Sequence, residues 1–287
     1  FPGLKLPYFW DASWVYAPAI QAMVEHGASL MPDVIPPDLS RGHPLLFHFL
    51  TALWIKIWGN GLVSVHLLMA LISFGVLVLT YLLAREWVGP EAGILAASVL
   101  VVQELFLAQA PQCLPEALLT FFILLSLWFY RRRQWTGYLI SATAMLYTKE
   151  SGLVFMGALT IHFLLKTWFG ENPTSKRKVI TSLVWILSPV VLASLHYLWL
   201  KHRFGWYFYP LHINYFKSNW QDYYNDLRNI WRVLWSQDGR WAISLLAGVG
   251  LFLRLAQKNW KLASGLLVLS YLGTITFYRR WPEPDYW

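Results

Sequence analysis

The sequence predicts an all-α fold, a polytopic transmembrane helix bundle with interfacial helices in a first outer loop, and three observations carry that reading. Hydrophobic residues make up 57% of the chain and charged residues only 13%, against about half and a quarter in a soluble domain. Apolar runs approaching the ~20 residues that a bilayer core requires recur between short charged turns. These runs are continuous rather than alternating, which selects helices over a closed barrel, the two structures that satisfy every backbone group in lipid.

Residues 1–59 read as a first outer loop. Two helix-like stretches, 13–26 and 44–58, flank a proline-rich link at 31–38, and Trp10, Trp14, Trp54 and Trp58 are spread along them as interface anchors. Residues 60–200 read as the transmembrane core, with spans at 60–83, 92–107, 115–130 and 179–200. Two short legs, 138–147 and 152–165, meet at the polar pair Lys149 and Glu150. A break of that kind belongs where irregular backbone lines a cavity. Residues 201–240 form a second outer segment, dense in aromatic residues and also interfacial, and residues 241–287 supply the last two spans, 241–255 and 262–278.

The basic residues orient the bundle. Arg85, Arg131 to Arg133, the loop 166–178 and the turn with Arg254, Lys258 and Lys261 share one side, in short connections, which the positive-inside rule makes cytoplasmic. Among the acids only Glu86, Glu91 and Glu171 lie there, so the polar, chemically equipped face is the non-cytoplasmic one. The net charge is +8, yet no soluble basic domain exists to hold nucleic acid. Membrane lipids and a phosphorylated lipid substrate fit that charge better. A single cysteine, Cys113, excludes an intramolecular disulfide framework and a cysteine metal cluster.

The candidate chemical residues each carry two readings. Asp11, the one charge between Lys5 and Glu25, caps the helix that follows or acts as a catalytic carboxylate. Glu116, after Pro115, complements a helix dipole or serves as a second acid. Glu104 is expected one to two turns inside the outer end of the 92–107 span, where an ionisable group is a functional candidate. Arg41 and His43, before the Pro44 helix start, suit a phosphate or anchor an interfacial helix. Lys149 and Glu150 form an internal ion pair, or the lysine reaches into the cavity. Arg203 and His212, in the second outer segment, complete the secondary candidates.

The order of these features resembles the GT-C glycosyltransferases that use polyprenyl-phosphate sugars, in the branch of the protein O-mannosyltransferases and lipid A aminoarabinose transferases. The similarity lies in Phe9-Trp10-Asp11-Ala12-Ser13-Trp14 before an amphipathic helix and Gly42-His43-Pro44-Leu45-Leu46 leading into an aromatic helix. It continues in the inner turn Val88-Gly89-Pro90-Glu91, in Leu114-Pro115-Glu116-Ala117 and in Thr148-Lys149-Glu150-Ser151-Gly152. Ala12 stands where the family often has a second acid, and Gly42-His43 where Lys-Pro is usual. The family normally has a span before the first outer loop and further spans at the other end, so the resemblance implies a fragment.

The resemblance implies an inverting transfer of a sugar from a polyprenyl-phosphate-linked donor to a lipid or protein acceptor hydroxyl. Asp11 would take or orient the acceptor proton, with Glu116 as second acid or metal partner, and Arg41, His43 and Lys149 would stabilise the departing phosphate. Cofactors are unknown, a divalent metal being the candidate. The alternative is a catalytically degenerate structural subunit of a larger membrane complex. A transporter would show paired broken helices at matching positions, and one break is evident.

Overall fold

A computed structural model describes residues 2–168, 175–210 and 219–235. The described residues are helical, without strands. They fall into two compact units, each considered by itself: residues 1–153 with 184–208, and residues 154–183 with 209–287. The spans expected at 241–255 and 262–278 and the candidate His212 lie outside the described residues.

In the first unit a single π-helical turn, Ala12–Tyr16, runs directly into α1 (Ala17–His26). A short α2 (Pro37–Ser40) follows the proline-rich link, and α3 (Leu46–Trp58) ends at Gly59, whose φ of 82° suits only glycine without strain. α4 (Leu62–Trp87) is followed by α5 (Pro90–Val101), α6 (Glu104–Gln109), α7 (Pro115–Arg131) and α8 (Trp135–Thr148). α9 (Gly152–Trp168) and α10 (Lys176–Phe204) each pass from one unit into the other. α4 and α10 are long and apolar enough to cross a membrane.

The span expected at 92–107 is corrected. Helix α5 stops at Val101, the chain turns extended at Gln103, and α6 starts anew at Glu104. Twelve residues of α5 reach about 18 Å at 1.5 Å per residue, short of the ~30 Å hydrocarbon core. Glu104 therefore opens a short separate helix and does not sit inside a span.

α4 packs against α5 and α7, α7 against α8, and α3 against α1, α4 and α8. Bare glycine backbone makes the long-helix seams close. A Cβ added at Gly75 would lie 2.8 Å from the Phe121 ring, at Gly93 2.8 Å from the Tyr81 carbonyl oxygen, and at Gly137 2.7 Å from the Phe129 ring. Small residues at helix contacts are the usual device where water supplies no hydrophobic drive. Polar pins add to the seams. The Ser126 and Ser141 hydroxyls meet at 3.1 Å between α7 and α8, and Tyr138 Oη donates to the Ile186 carbonyl of α10 at 3.1 Å, close to Pro189 within that helix. At the opposite ends of α4 and α7, Glu86 faces both Arg131 and Arg132, whose guanidinium groups also lie over Trp87 and Trp128. The buried cluster of α1 and α3, including Ile20, Met23, Leu45, Phe47 and Ala52, joins that of α4 through Val65 and Met69.

Candidate active site

The N-terminal segment delivers Asp11 through a strained turn. Trp10 stands at φ 51°, a left-handed conformation that costs a non-glycine residue about 1–2 kcal/mol. Its carbonyl accepts from the amides of Ser13 and Trp14 at 2.8 and 3.2 Å, which starts the π-turn. Ala12, Val15 and Tyr16 are buried beneath that turn, and Asp11, Ser13 and Trp14 stay exposed. The Asp11 carboxylate makes no capping bond to the helix. The capping role is thus corrected, and the carboxylate is left at the surface of the turn.

A second turn delivers His43. Arg41 and Gly42 both take positive φ, 49° and 70°, and the His43 amide donates to the Ser40 carbonyl at 2.9 Å. The reversal brings His43 Nδ1 to 2.9 Å from Glu150 Oε2, across 107 residues of chain. Arg41, on the same turn, has no ion-pair partner among the described residues.

The break between α8 and α9 supplies the other half. Lys149 is extended, with φ −161° and ψ 140°, and in extended backbone successive side chains leave on opposite sides. Lys149 Nζ donates to Glu116 Oε1 at 2.6 Å, at the first turn of α7, while Glu150 turns to His43. The ion pair expected between Lys149 and Glu150 is therefore replaced by two pairs with different helices. Glu116 Oε2 is sealed from the surface and has no hydrogen-bond partner among the described residues.

Tyr16 is the hub. Burial pushes its phenol up, Lys149 opposes that, and Glu116, Glu150 and Asp11 all reinforce it. Four of the residues singled out from the sequence thus share one electrostatic neighbourhood. For Lys149 burial works against the charge, but Tyr16, the Glu116 carboxylate with its hydrogen bond, and Glu150 outweigh it and raise the ammonium well above its ordinary value. Burial likewise opposes ionisation of Glu150, yet the charge and hydrogen bond of His43 hold its carboxyl down at about 2.

Three residues of this neighbourhood were not anticipated. Tyr16 lies five positions after Asp11. His48 is 2% exposed, packs its ring 5.7 Å from that of Tyr16, and has no partner on either ring nitrogen among the described residues. Burial, with the nearby charge of His43, pushes it down to about 3, so it is neutral. His196, on α10, is 4% exposed and packs edge-on against Tyr147 and Tyr197. The signal for His196 was present: an ionisable residue inside an apolar span is a candidate by default. His48, in an aromatic run, carried none.

The structure does not bring every candidate to this neighbourhood. Arg203 pairs with Asp33 of the proline-rich link at 3.5 Å. Glu104 opens α6. Among the described residues no group of three or more His, Cys, Asp or Glu side chains is arranged to hold a metal ion.

His43, the break and the head of α7 fall in a stretch that known proteins share. A family described as dolichyl-phosphate-mannose-protein mannosyltransferase matches residues 42–199, more than half of the chain. The chain belongs to that family. Its matched segment runs from Gly42 into α10 and so includes His43, Glu116, Lys149, Glu150 and His196 of this mannosyltransferase-family chain, while Asp11 and Arg41 precede it. An uncharacterized protein of Aquifex aeolicus (strain VF5) is 28% identical over 193 residues, which cover 62% of this chain and 38% of the relative. The chain thus spans well under half the length of that curated relative. No solved structure matches it.

Proposed function

We propose that this chain carries the catalytic face of a membrane glycosyltransferase of the GT-C type, which moves a sugar from a polyprenyl-phosphate donor to an acceptor hydroxyl on the non-cytoplasmic side, with inversion. The observation that carries the reading is the convergence of Asp11, Glu116, Lys149 and Glu150 on Tyr16, with His43 bound to Glu150. Family membership supports the reaction class.

In the proposed reaction the acceptor oxygen attacks the anomeric carbon as the bond from that carbon to the phosphate oxygen breaks. The acceptor proton passes to the exposed carboxylate of Asp11, acting as general base. Glu116, bonded to Lys149 through Oε1, is the second acid of the site. The leaving polyprenyl phosphate takes the bonding electron pair, and its growing charge is met by Arg41, His43 and Lys149. Both His43 and Lys149 already carry carboxylate partners, so phosphate binding is an exchange of one anion for another, and those cations are pre-oriented before the donor arrives. Arg41, without an acid partner among the described residues, is the natural first contact for the phosphate fork.

The test is sugar release from a radiolabelled polyprenyl-phosphate hexose by the purified full-length protein in lipid, wild type beside Asp11→Asn. Turnover lost in the variant at unchanged thermal stability supports the assignment. Absence of turnover in both, across several donors, overturns it in favour of a structural subunit of a larger membrane complex.

A further inference from the structure

We infer that His66 is a positioning residue for Asp11: it fastens the N-terminal strap, residues 2–8, to α4 and so holds the turn that presents the carboxylate. This role rests on Asp11 acting as the general base of the proposed reaction. His66 lies in the second turn of α4 and is fully buried, at 0% exposure. An ionisable side chain inside an apolar helix is costly to keep and marks a task by default. Its Nδ1 lies 3.1 Å from the Leu4 carbonyl oxygen, 62 residues earlier. A carbonyl only accepts, so Nδ1 carries the proton and donates it. Nε2 has no hydrogen-bond partner among the described residues, so the donation to Leu4 is the polar contact that the imidazole makes there. The Tyr8 ring meets the same imidazole edge-on at 5.4 Å and packs against the buried cluster that holds Val65, Met69 and Cys113. One side chain thus grips the strap at two points, where the 3-10 turn Pro2–Lys5 packs on α4.

The grip supports the strained step of the turn. Trp10 keeps its left-handed φ of 51°, and a bulky residue stays in that conformation only where its surroundings over-determine it. Downstream, buried Ala12, Val15 and Tyr16 fix the turn. Upstream, Phe9 and Trp10 are 69% and 51% exposed, so burial of their own rings contributes little. Packed support on that side comes from Tyr8, with the Leu4 carbonyl behind it, and both meet at His66. The Phe9 carbonyl accepts from the Ala12 amide at 3.2 Å and the Trp10 carbonyl from the Ser13 amide at 2.8 Å. A displacement at Tyr8 therefore reaches Asp11 through hydrogen-bonded residues and not through slack chain. A carboxylate that must meet an acceptor hydroxyl tolerates little of this, since an error of about 1 Å can cost about 100-fold in rate.

The experiment compares His66→Leu, His66→Asn and His66→Gln in the full-length protein in nanodiscs, by hydrogen exchange over residues 9–16 and by turnover of the radiolabelled polyprenyl-phosphate hexose. Asn puts an amide N–H close to where Nδ1 stood, whereas Gln puts it near Nε2. In His66→Leu the Ser13 and Trp14 amides should exchange about 10-fold faster while those of α1 stay unchanged. Its kcat should fall about 10–100-fold with the donor KM kept. His66→Asn should recover most of both effects and His66→Gln little of either. Added to Asp11→Asn, His66→Leu should lower the residual turnover no further. Unchanged exchange in the Leu variant overturns the inference, as does a full additional loss in the double variant. Wild-type kcat in His66→Leu beside an inactive Asp11→Asn sinks this inference alone. Wild-type turnover in Asp11→Asn sinks the general-base reading itself, and the positioning role with it.

Discussion

Lys149 Nζ lies 2.6 Å from Glu116 Oε1, 33 residues earlier in the chain, so the end of α8 is tied to the head of α7 by one charge-assisted bond. Lys149→Met leaves Glu116 and Glu150 partly buried with less compensation. Glu116 is 45% exposed, so the loss should fall below that of a fully buried pair, at about 1–3 kcal/mol. Thermal unfolding in detergent measures it. Adding Glu116→Gln should recover part of the loss, with a coupling of about 1 kcal/mol in a double-mutant cycle; strict additivity would mean that the bond contributes nothing.

The His43 pair makes a pH prediction. The folded carboxyl of Glu150 is held at about 2, below the ordinary carboxylate value of 4.5. A depressed acid contributes stability that is complete above the unfolded value and is lost as pH falls through the folded one. The unfolding midpoint should therefore drop as pH goes from about 4.5 towards 2. Glu150→Gln should flatten that part of the profile, and His43→Gln should shrink the drop by raising its lower end, the onset near the unfolded value staying in place.

His48 is buried with neither ring nitrogen bonded within the described protein. Replacing a buried polar group that lacks a partner by an apolar one of similar shape is neutral or stabilising. His48→Phe should keep or raise the unfolding temperature. A loss of turnover in that stable variant would place the imidazole in the chemistry, whereas equal turnover would make it packing against Tyr16.

Gly93 tests the seam between α4 and α5. Its added Cβ would sit 2.8 Å from the Tyr81 carbonyl oxygen, a backbone atom that no rotamer change can move away. Gly93→Ala should cost about 1–3 kcal/mol, read as a lower midpoint in detergent, while Gly157→Ala, where a Cβ meets nothing within 4 Å, should be neutral or slightly stabilising.

Helical class and the break at Lys149 were legible because both depend on local information, the length of apolar runs and the interruption of one by adjacent charges. The pairing was not. Nothing in the string Thr148-Lys149-Glu150 tells which way an extended backbone aims two neighbouring side chains, and the answer, Glu116 for one and His43 for the other, is set by α7 and the Ser40–Leu45 turn. The stop at Val101 was equally hidden, since Val99 to Val102 are as apolar as the residues before them and an average over the window passes across a bend. Asp11 could be placed at a turn before a helix, but its own helical backbone, φ −55° and ψ −29°, keeps its side chain from the extended geometry of a cap, and no composition rule foresees that.

The glycine seams have a bearing on how far the chain can drift in sequence without losing its chemistry. Helix α7 carries Glu116 at its head, Phe121 against the bare backbone of Gly75 in α4, and Phe129 against that of Gly137 in α8. A ring edge against naked backbone keeps two helix axes close, like a thin shim between two plates. These contacts, together with the Ser126–Ser141 and Lys149–Glu116 bonds, hold α7 in place. The outward-facing surface of α7 can thus change extensively while the carboxylate at its head keeps its address relative to Lys149, provided that the glycines, phenylalanines and polar pins of these seams are spared.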